Sequence, residues 1–464
     1  MNNTQVAAIF EPILGAERCL TDTASAEQYG TDWTKVWEPA PSVVLLPETL
    51  EEVQAIVLAA NEHGVALVPS GGRTGLSAGA VAAKGEAVVA MDRMNKVLSY
   101  NPFDRAVKVQ AGVITQQLQE FAEEKGLFYP VDFASAGSSQ IGGNIGTNAG
   151  GIKVIRYGMT REWVSGLTVV TGKGDVLELN NGLMKNATGY DLRHLFIGSE
   201  GTLGIIVDAT IQLARQPENL TALVLGVNTF DDIMKVLHAF QQKLDLTAFE
   251  FFSDKAMAHV LAHGVPEPFA ERTPFYCLLE FEQTSEAVGE TAMELFSHCL
   301  EEGWVLDGVM SQSLQQLDQL WQLRERISES IAPHTPYKND ISVTVSQVPE
   351  FVAAVDKVVQ EAYPDFEIVW FGHIGDGNMH LNILKPESLP KEEFFERCNE
   401  VSKWVFEIVA KHKGSISAEH GVGMTKKPYL GYSRSEAEIA YLKAIKAAFD
   451  PNHIMNPGKL FDKE

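Results

Sequence analysis

Ala136-Gly137-Ser138-Ser139-Gln140-Ile141-Gly142-Gly143-Asn144-Ile145-Gly146-Thr147-Asn148-Ala149-Gly150-Gly151 holds six glycines and three hydroxyl residues in sixteen positions. A stretch this long with so few bulky side chains suits backbone lying against a large, flat, polar ligand, because glycine lets a chain approach closely. Two other stretches share its character. Pro69-Ser70-Gly71-Gly72-Arg73-Thr74-Gly75-Leu76-Ser77-Ala78-Gly79 follows a strand over 43–46, a helix and a strand over 65–68; Thr49-Leu50-Glu51-Glu52 opens that helix as a capping box and Gly64 stops it. The loop can aim N–H groups at an anion as a phosphate nest does, with a plain flexible turn as the competing reading of that loop alone. The third stretch is Phe196-Ile197-Gly198-Ser199-Glu200-Gly201-Thr202-Leu203-Gly204-Ile205-Ile206. Neither it nor the first has G-x-G-x-x-G in register behind a Rossmann strand, so a pyrophosphate-bearing cofactor held by another fold fits better.

Around these loops the pattern is α+β. Residues 1–41 read as a lead-in with two short helices, and strands over 167–170 and 176–179 flank a hairpin turn, Thr171-Gly172-Lys173-Gly174-Asp175. Arg215-Gln216-Pro217-Glu218-Asn219 reads as a boundary. Beyond it come a strand over 222–227, a helix over 230–244, strands over 248–252 and 276–281, and a helix over 287–302. A similar order recurs with a strand over 341–345, a helix over 351–362 and a final hairpin, which suggests a ferredoxin-like duplication forming one mixed sheet. A helix from about Gln312 carries Leu320-Trp321-Gln322-Leu323-Arg324-Glu325-Arg326 and joins the second repeat through Tyr337-Lys338-Asn339-Asp340. The last helix, over 436–449, puts Ile439, Leu442 and Ile445 on one side and stops at Asp450-Pro451.

The totals narrow the function classes. A chain of 464 residues is too long for one ordinary core, so two or three domains are expected. With 45% apolar and 21% charged residues, no run near eighteen apolar residues and no basic start of a signal peptide at Met1-Asn2-Asn3-Thr4, a cytoplasmic protein without a transmembrane segment is expected. A formal charge of -24 argues against nucleic-acid binding, which needs a basic surface to displace phosphate counterions. Cys19, Cys277, Cys299 and Cys398 form no CxxC pair and read as buried free thiols.

The hairpin is the second focus. In Gly372-His373-Ile374-Gly375-Asp376-Gly377-Asn378-Met379-His380-Leu381-Asn382, two imidazoles bracket a glycine-rich turn. Strands over 366–371 and 379–384 would put His373 at the end of one and His380 at the start of the next, with Asn382 on the face of His380. A carboxylate from Glu419 would complete a two-histidine, one-acid metal site with open positions. Against it stand two unrelated histidines and a surface Glu-His pair, and an exposed ion-pair face is the competing reading of Arg324 beside Glu325 and Arg326. Asn456-Pro457-Gly458-Lys459 either closes the chain over the first domain or is a simple C-terminal turn.

Taken together, the three loops, Asn186-Ala187-Thr188-Gly189-Tyr190-Asp191-Leu192, the histidine hairpin and Glu419-His420-Gly421 span most of the chain. The set resembles the vanillyl-alcohol oxidase / p-cresol methylhydroxylase (PCMH) flavoprotein superfamily. Within it the chain is similar to the FAD-linked D-2-hydroxy acid dehydrogenases, most of all their D-2-hydroxyglutarate dehydrogenase branch, through 186–205, 248–251 and 414–423. The resemblance implies an α+β chain of three parts: a PCMH-type FAD-binding domain over 1–217, a substrate domain with the ferredoxin-like duplication and metal hairpin over 218–411, and a helical C-terminal segment over 412–464 that completes the active site and packs on the FAD domain.

It further implies that FAD is held by Ser70, Gly71, Gly72, Arg73, Thr74 and Gly75, and by Gly137, Ser138, Gly142, Gly143, Asn144, Thr147, Asn148 and Gly150. Glu200, Gly201, Gly204, Ile205 and Asn456 would complete that set. The loop over 69–79 offers neither histidine nor cysteine, so the flavin is expected to bind noncovalently. His373, His380 and Glu419 would hold a divalent metal, usually zinc in that family; Asn382 and His420 would face the substrate, and Arg324 and Lys338 match carboxylate-binding positions. A 2-hydroxy acid could chelate the metal, give its hydroxyl proton to His420 and pass hydride from C2 to flavin N5. D-2-hydroxyglutarate going to 2-oxoglutarate leads this reading, with D-lactate, D-malate or glycolate as alternatives. A metal-dependent hydrolase and a noncatalytic flavoprotein subunit are the readings from other classes. Electrons would leave to an acceptor such as electron-transfer flavoprotein or a quinone, and a homodimer is compatible with all of this.

Overall fold

A computed structural model describes residues 1–462, and in it the chain divides into two units. The first is built from residues 1–150 and 159–216 together with the chain from 419 onward; the second from 151–158 and 217–418.

The first unit opens with helix α1 (Asn3–Leu14), capped reciprocally by Asn2 and Gln5, which buries Val6, Ala7, Phe10 and Leu14. Strands β1 (Val43–Leu45), β2 (Leu67–Ser70) and β3 (Ala87–Ala90) run parallel with β3 in the middle. Helix α2 (Leu50–His63) follows β1, buries Val53, Ile56, Val57 and Ala60, and ends on Gly64 at φ +66°, a left-handed position that glycine adopts without cost. Its capping box is one-sided. Thr49 Oγ1 accepts from Glu52 N–H at 3.2 Å, but the Glu52 carboxylate turns away to Glu48 N–H at 2.7 Å and to Arg18.

A second sheet holds β4 (Val97–Asn101), β5 (Ala106–Gln110), β6 (Val164–Thr171), β7 (Val176–Leu179) and β8 (Gly204–Gln212) in the order β4-β5-β8-β6-β7, antiparallel throughout. The expected hairpin is its β6–β7 pair, with Val170 opposite Val176. The glycine-rich stretch read as a loop is not loop throughout: Ile141–Thr147 forms helix α3. Two buried isoleucines one turn apart, Ile141 and Ile145, hold it on the core, and Gly142 lies so close to Ala111 that a Cβ would come within 2.7 Å of that methyl.

The second unit is one seven-stranded sheet. Its strands are β9 (Leu220–Val227), β10 (Leu246–Ser253), β11 (Phe275–Glu282), β12 (Val305–Met310), β13 (Tyr337–Ser342), β14 (Glu367–His373) and β15 (Asn378–Leu384). The order is β12-β9-β11-β10-β14-β15-β13. Each neighbouring pair is antiparallel, so the sheet expected to be mixed is not. Helices α4 (Phe230–Gln241) and α5 (Glu286–Glu301) complete the first repeat; α7 (Val348–Ala362) and α8 (Lys391–Lys411) belong to the second, and α6 (Leu314–Glu325) lies between the repeats in sequence. The strand expected over 341–345 begins earlier, which makes Tyr337-Lys338-Asn339-Asp340 part of β13 instead of a connection.

The two repeats meet where β10 pairs with β14, Phe251 opposite Gly372 and Phe252 opposite Phe371. The first repeat has an edge strand, β12, beside β9. The second has a remnant in the same place beside β13. Ser342 and Ser415 exchange two backbone hydrogen bonds, 2.8 and 3.0 Å, and Ala418 N–H reaches Asp340 O at 3.3 Å. Chain order therefore carries the polypeptide out of this remnant directly into Glu419 and His420.

The chain then rejoins the first unit through α9 (Glu436–Phe449), capped by Ser435 and Glu438 and ending at Asp450 as expected. Ile445 and Phe449 pack on the core of the second sheet, but Leu442 is 37% exposed, so the expected apolar side is only partly covered. What α9 does bury is Lys446, whose ammonium donates to Thr202 O, Asp450 Oδ2 and Met455 O at 2.7–2.8 Å. Leu67 of β2 exchanges backbone hydrogen bonds of 2.7 Å with Ile454 and Asn456, which ties the last segment to this unit.

Candidate functional site

A cavity opens in the first unit where the loop after β2, helix α3 and the loop before β8 come together. The first loop contributes Ser70, Gly71, Gly72, Arg73, Thr74 and Gly75 to its wall, and α3 contributes Gly142, Gly143, Asn144 and Thr147. Glu200, Gly201, Gly204 and Ile205 close it. Gly137, Ser138, Asn148, Gly150 and Asn456 lie outside the wall. Ser138 instead packs on the first loop, where a Cβ on Gly72 would sit 2.1 Å from its carbonyl oxygen, and Gly137 approaches Gln116. Asn148 ends α3 at φ +53° and its Oδ1 accepts from Arg161 N–H at 2.9 Å. Asn456 Nδ2 donates to Gly79 O at 2.9 Å and to Glu200 O at 2.7 Å, tying the first loop to the third.

The cavity suits a polar ligand that makes close backbone contact. A Cβ on Gly143 or Gly146 would meet nothing within 4 Å, and buried Ser70 Oγ and Gln140 Oε1, both on lining residues, have no hydrogen-bond partner among the described residues. Buried polar atoms are normally satisfied, so these two fit a ligand that satisfies them. Arg73 does not bring free charge to the cavity. Its guanidinium forks onto Asp92 at 2.9 and 3.0 Å, donates to Gly71 O at 2.6 Å and lies 4.8 Å from the Tyr29 ring centroid. The Glu200 carboxylate accepts from Val422 and Gly423 N–H, both at 2.8 Å, and burial pushes its pKa above the usual carboxylate value. An FAD held largely by backbone N–H groups and small polar side chains fits these walls.

The second unit brings the two histidines together. β14 ends on His373, and His380 stands opposite Phe371 on β15, which leaves the imidazole centroids 5.2 Å apart and nearly perpendicular. Gly377, at φ +84°, forms the tight turn between them, where a Cβ would come within 2.1 Å of Val343 O. Asp376 Oδ1 accepts from Asn378 N–H at 3.1 Å, and Asn378 Nδ2 donates to Asp340 Oδ1 at 2.8 Å. His373 and His380 thus stand side by side on the second unit, while Glu419 and His420 belong to the first. Two imidazoles and a carboxylate are a donor set for zinc and equally for manganese, cobalt or iron, so the residues fit a divalent metal.

Side chains opposite each other on paired strands leave the sheet on one face. Asp340 opposes His380 and Lys338 opposes Asn382, so all four share the face of His373. Among the described residues, Asn382 Nδ2 makes only long contacts, 3.3 and 3.4 Å, to backbone carbonyls. Arg324 on α6 is buried, which removes the exposed ion-pair reading; its Nε lies 2.8 Å from Glu250 Oε2, close enough for an ion pair but not aligned as a hydrogen bond, and its guanidinium sits 4.7 Å from the Phe371 centroid. Glu250 and Asp340 were not singled out from the sequence. Glu250 did leave a signal, as the lone carboxylate in the apolar strand Leu246-Thr247-Ala248-Phe249-Glu250-Phe251-Phe252.

Residues 41–180 match the family described as FAD binding domain, and residues 216–460 match FAD linked oxidases, C-terminal domain. The chain is 69% identical over 445 residues to the D-2-hydroxyglutarate dehydrogenase of Stutzerimonas stutzeri (strain A1501), covering 96% of each chain. It is 36% identical over 457 residues to the mitochondrial D-2-hydroxyglutarate dehydrogenase of Arabidopsis thaliana, covering 97% of this chain and 80% of that one. Among solved structures, p-cresol methylhydroxylase with substrate bound matches with a TM-score of 0.74 at 16% identity, covering 99% of this chain and 97% of that one, and alkyldihydroxyacetonephosphate synthase matches with 0.73 at 19%, covering 97% and 85%. At those identities the likeness is one of fold, and the fold is the PCMH-type α+β architecture expected from the sequence. Among the described residues no helix is long and apolar enough to cross a membrane.

Proposed function

The chain belongs to the FAD-linked oxidase family that includes the D-2-hydroxyglutarate dehydrogenases, and from that premise we propose that it oxidises D-2-hydroxyglutarate to 2-oxoglutarate with the help of a divalent metal. The observation that carries the reading is the pair of imidazoles, His373 and His380, with ring centroids 5.2 Å apart on the face of the sheet that bears Lys338 and Asn382.

FAD, held by the glycine-lined cavity of residues 70–75, 142–147 and 200–205, would supply the two-electron acceptor for the C2 hydride. His373, His380 and Glu419 would hold a divalent cation, which would supply Lewis acidity to the 2-hydroxyl. The rest falls to the protein. His420 takes the hydroxyl proton, so that hydride and proton together leave a 2-oxo acid. Lys338 and Arg324 hold substrate carboxylates and Asn382 donates to a substrate oxygen, fixing the C2–H bond in one direction; that orientation is what separates the D from the L acid. A five-carbon diacid uses both cations, whereas D-lactate and glycolate have one carboxylate to offer. A carrier such as electron-transfer flavoprotein or a quinone would be the electron acceptor.

Initial rates with an artificial electron acceptor test the substrate. D-2-hydroxyglutarate should give the highest kcat/KM, followed by D-malate, with D-lactate and glycolate well behind. A higher kcat/KM for D-lactate than for either diacid would move the reading to a short-chain hydroxy acid.

A further inference from the structure

Glu250 lies on β10 in the first repeat, almost wholly buried, on the same face of the sheet as His373. One oxygen, Oε1, is 2.8 Å from His373 Nδ1; the other, Oε2, is 2.8 Å from Arg324 Nε. One carboxylate, 123 positions away from the histidine in sequence, therefore touches both a proposed metal ligand and a proposed carboxylate anchor. Neither the family matches nor the reading above gives it a role.

We propose that Glu250 is a positioning residue that fixes the tautomer and orientation of His373 and the pose of Arg324 together. The inference rests on the proposed metal centre. A carboxylate is an acceptor only, so the 2.8 Å contact requires the proton on Nδ1 and leaves Nε2 as the atom that presents a lone pair to a cation. A full negative charge behind the ring makes Nε2 a better donor, and such outer partners of metal-bound histidines typically carry a roughly 10- to 100-fold share of metal affinity. The second oxygen acts on α6. Arg324 is held with its Nε side toward Glu250 and its plane near Phe371, and its Nη atoms form no hydrogen bond among the described residues.

Glutamine in place of glutamate separates these duties. An amide has one acceptor oxygen and one NH2, so if the oxygen stays on His373 Nδ1–H, the NH2 faces Arg324 Nε–H, donor against donor. Either orientation spoils one contact and removes the charge, at nearly unchanged volume.

The test is zinc affinity, read without turnover. Zn2+ is titrated into metal-stripped, flavin-loaded protein against a chromophoric chelator, for the native chain and for Glu250→Gln. Tight binding by the native chain and a Kd weakened roughly 10- to 100-fold in the variant, with flavin content and elution volume unchanged, supports the positioning role. Equal affinities within twofold overturn it and leave the proposed function standing. No zinc binding by the native chain overturns the proposed metal centre and this inference with it. Should Glu250→Gln not yield folded protein, the native zinc-loaded chain labelled with 15N-histidine decides. The His373 signals, assigned by their loss in His373→Asn, should show a protonated Nδ1 and a metal-bound Nε2; a protonated Nε2 with metal on Nδ1 overturns the assignment.

Discussion

Lys338 and Asn382 stand directly opposite each other on β13 and β15, two pairs along from Asp340 and His380 and on the same face. The placement sets Lys338 a short reach from the proposed metal ligands on the same sheet face. A lysine serving the distal carboxylate of a diacid would lose a charge-assisted hydrogen bond on truncation, about 1.5–3 kcal/mol, or roughly 10- to 100-fold. Lys338→Met should therefore lower kcat/KM for D-2-hydroxyglutarate by that factor, mostly through KM, and change the value for D-lactate far less. Equal losses on both acids would mean that Lys338 does not read the second carboxylate.

The glycines of α3 separate into two kinds, and substitution should tell them apart. A Cβ on Gly142 would press on Ala111 at 2.7 Å, whereas one on Gly146, which lines the cavity, would meet nothing within 4 Å. Alanine also favours a helix over glycine by about 1 kcal/mol. Gly146→Ala should melt at the same temperature or higher as apo-protein, yet purify with a lower ratio of 450 nm to 280 nm absorbance. Gly142→Ala should lower the apo melting temperature itself.

Much of this architecture was legible because its signals are local. Val53, Ile56, Val57 and Ala60 mark one face of α2, with Thr49 before it and Gly64 after it. The β6–β7 hairpin declares itself through Gly172 and Gly174, and the His373–His380 hairpin through its glycine turn. The helix over Ile141–Thr147 was hidden because its glycines argue against helix; burial of Ile141 and Ile145 overrides that preference. Strand β12 escaped because it is an exposed edge with no clean alternation. Helix α8 carries a readable stripe in Phe394, Cys398, Val401, Val405 and Val409, a local signal as plain as that of α2. The direction of strand pairing, the transfer of residues 151–158 to the second unit and the meeting of Glu250 with His373 and Arg324 depend on contacts remote in sequence, which no local pattern announces.

Lys459 gives a pH dependence with a definite sign. Its ammonium is buried, donates to Val81 O at 2.7 Å, and burial pushes its pKa down from 10.5 to about 8. Between those values the unfolded chain holds the proton more readily than the folded one, so the penalty is fully present below pH 8 and fades as the pH rises toward 10.5. The full span corresponds to a stability change on the order of 3 kcal/mol. The stability of the native chain relative to Lys459→Met, followed by denaturant melts of the apo-proteins, should rise between pH 7.5 and 9.5. A difference that stays flat across that interval would contradict this placement of the charge.

The central claim is that a stereospecific hydride acceptor and a metal-held 2-hydroxy acid act in one reaction, and anaerobic flavin reduction tests it most directly. Purified protein should be yellow and should bleach on addition of D-2-hydroxyglutarate but not of the L acid. Chelation with EDTA should slow that bleaching at least tenfold while the flavin stays bound, and Zn2+ should restore it. Bleaching at the same rate after verified metal removal would contradict the metal's part in the account, and no bleaching with any D-2-hydroxy acid would contradict the account itself.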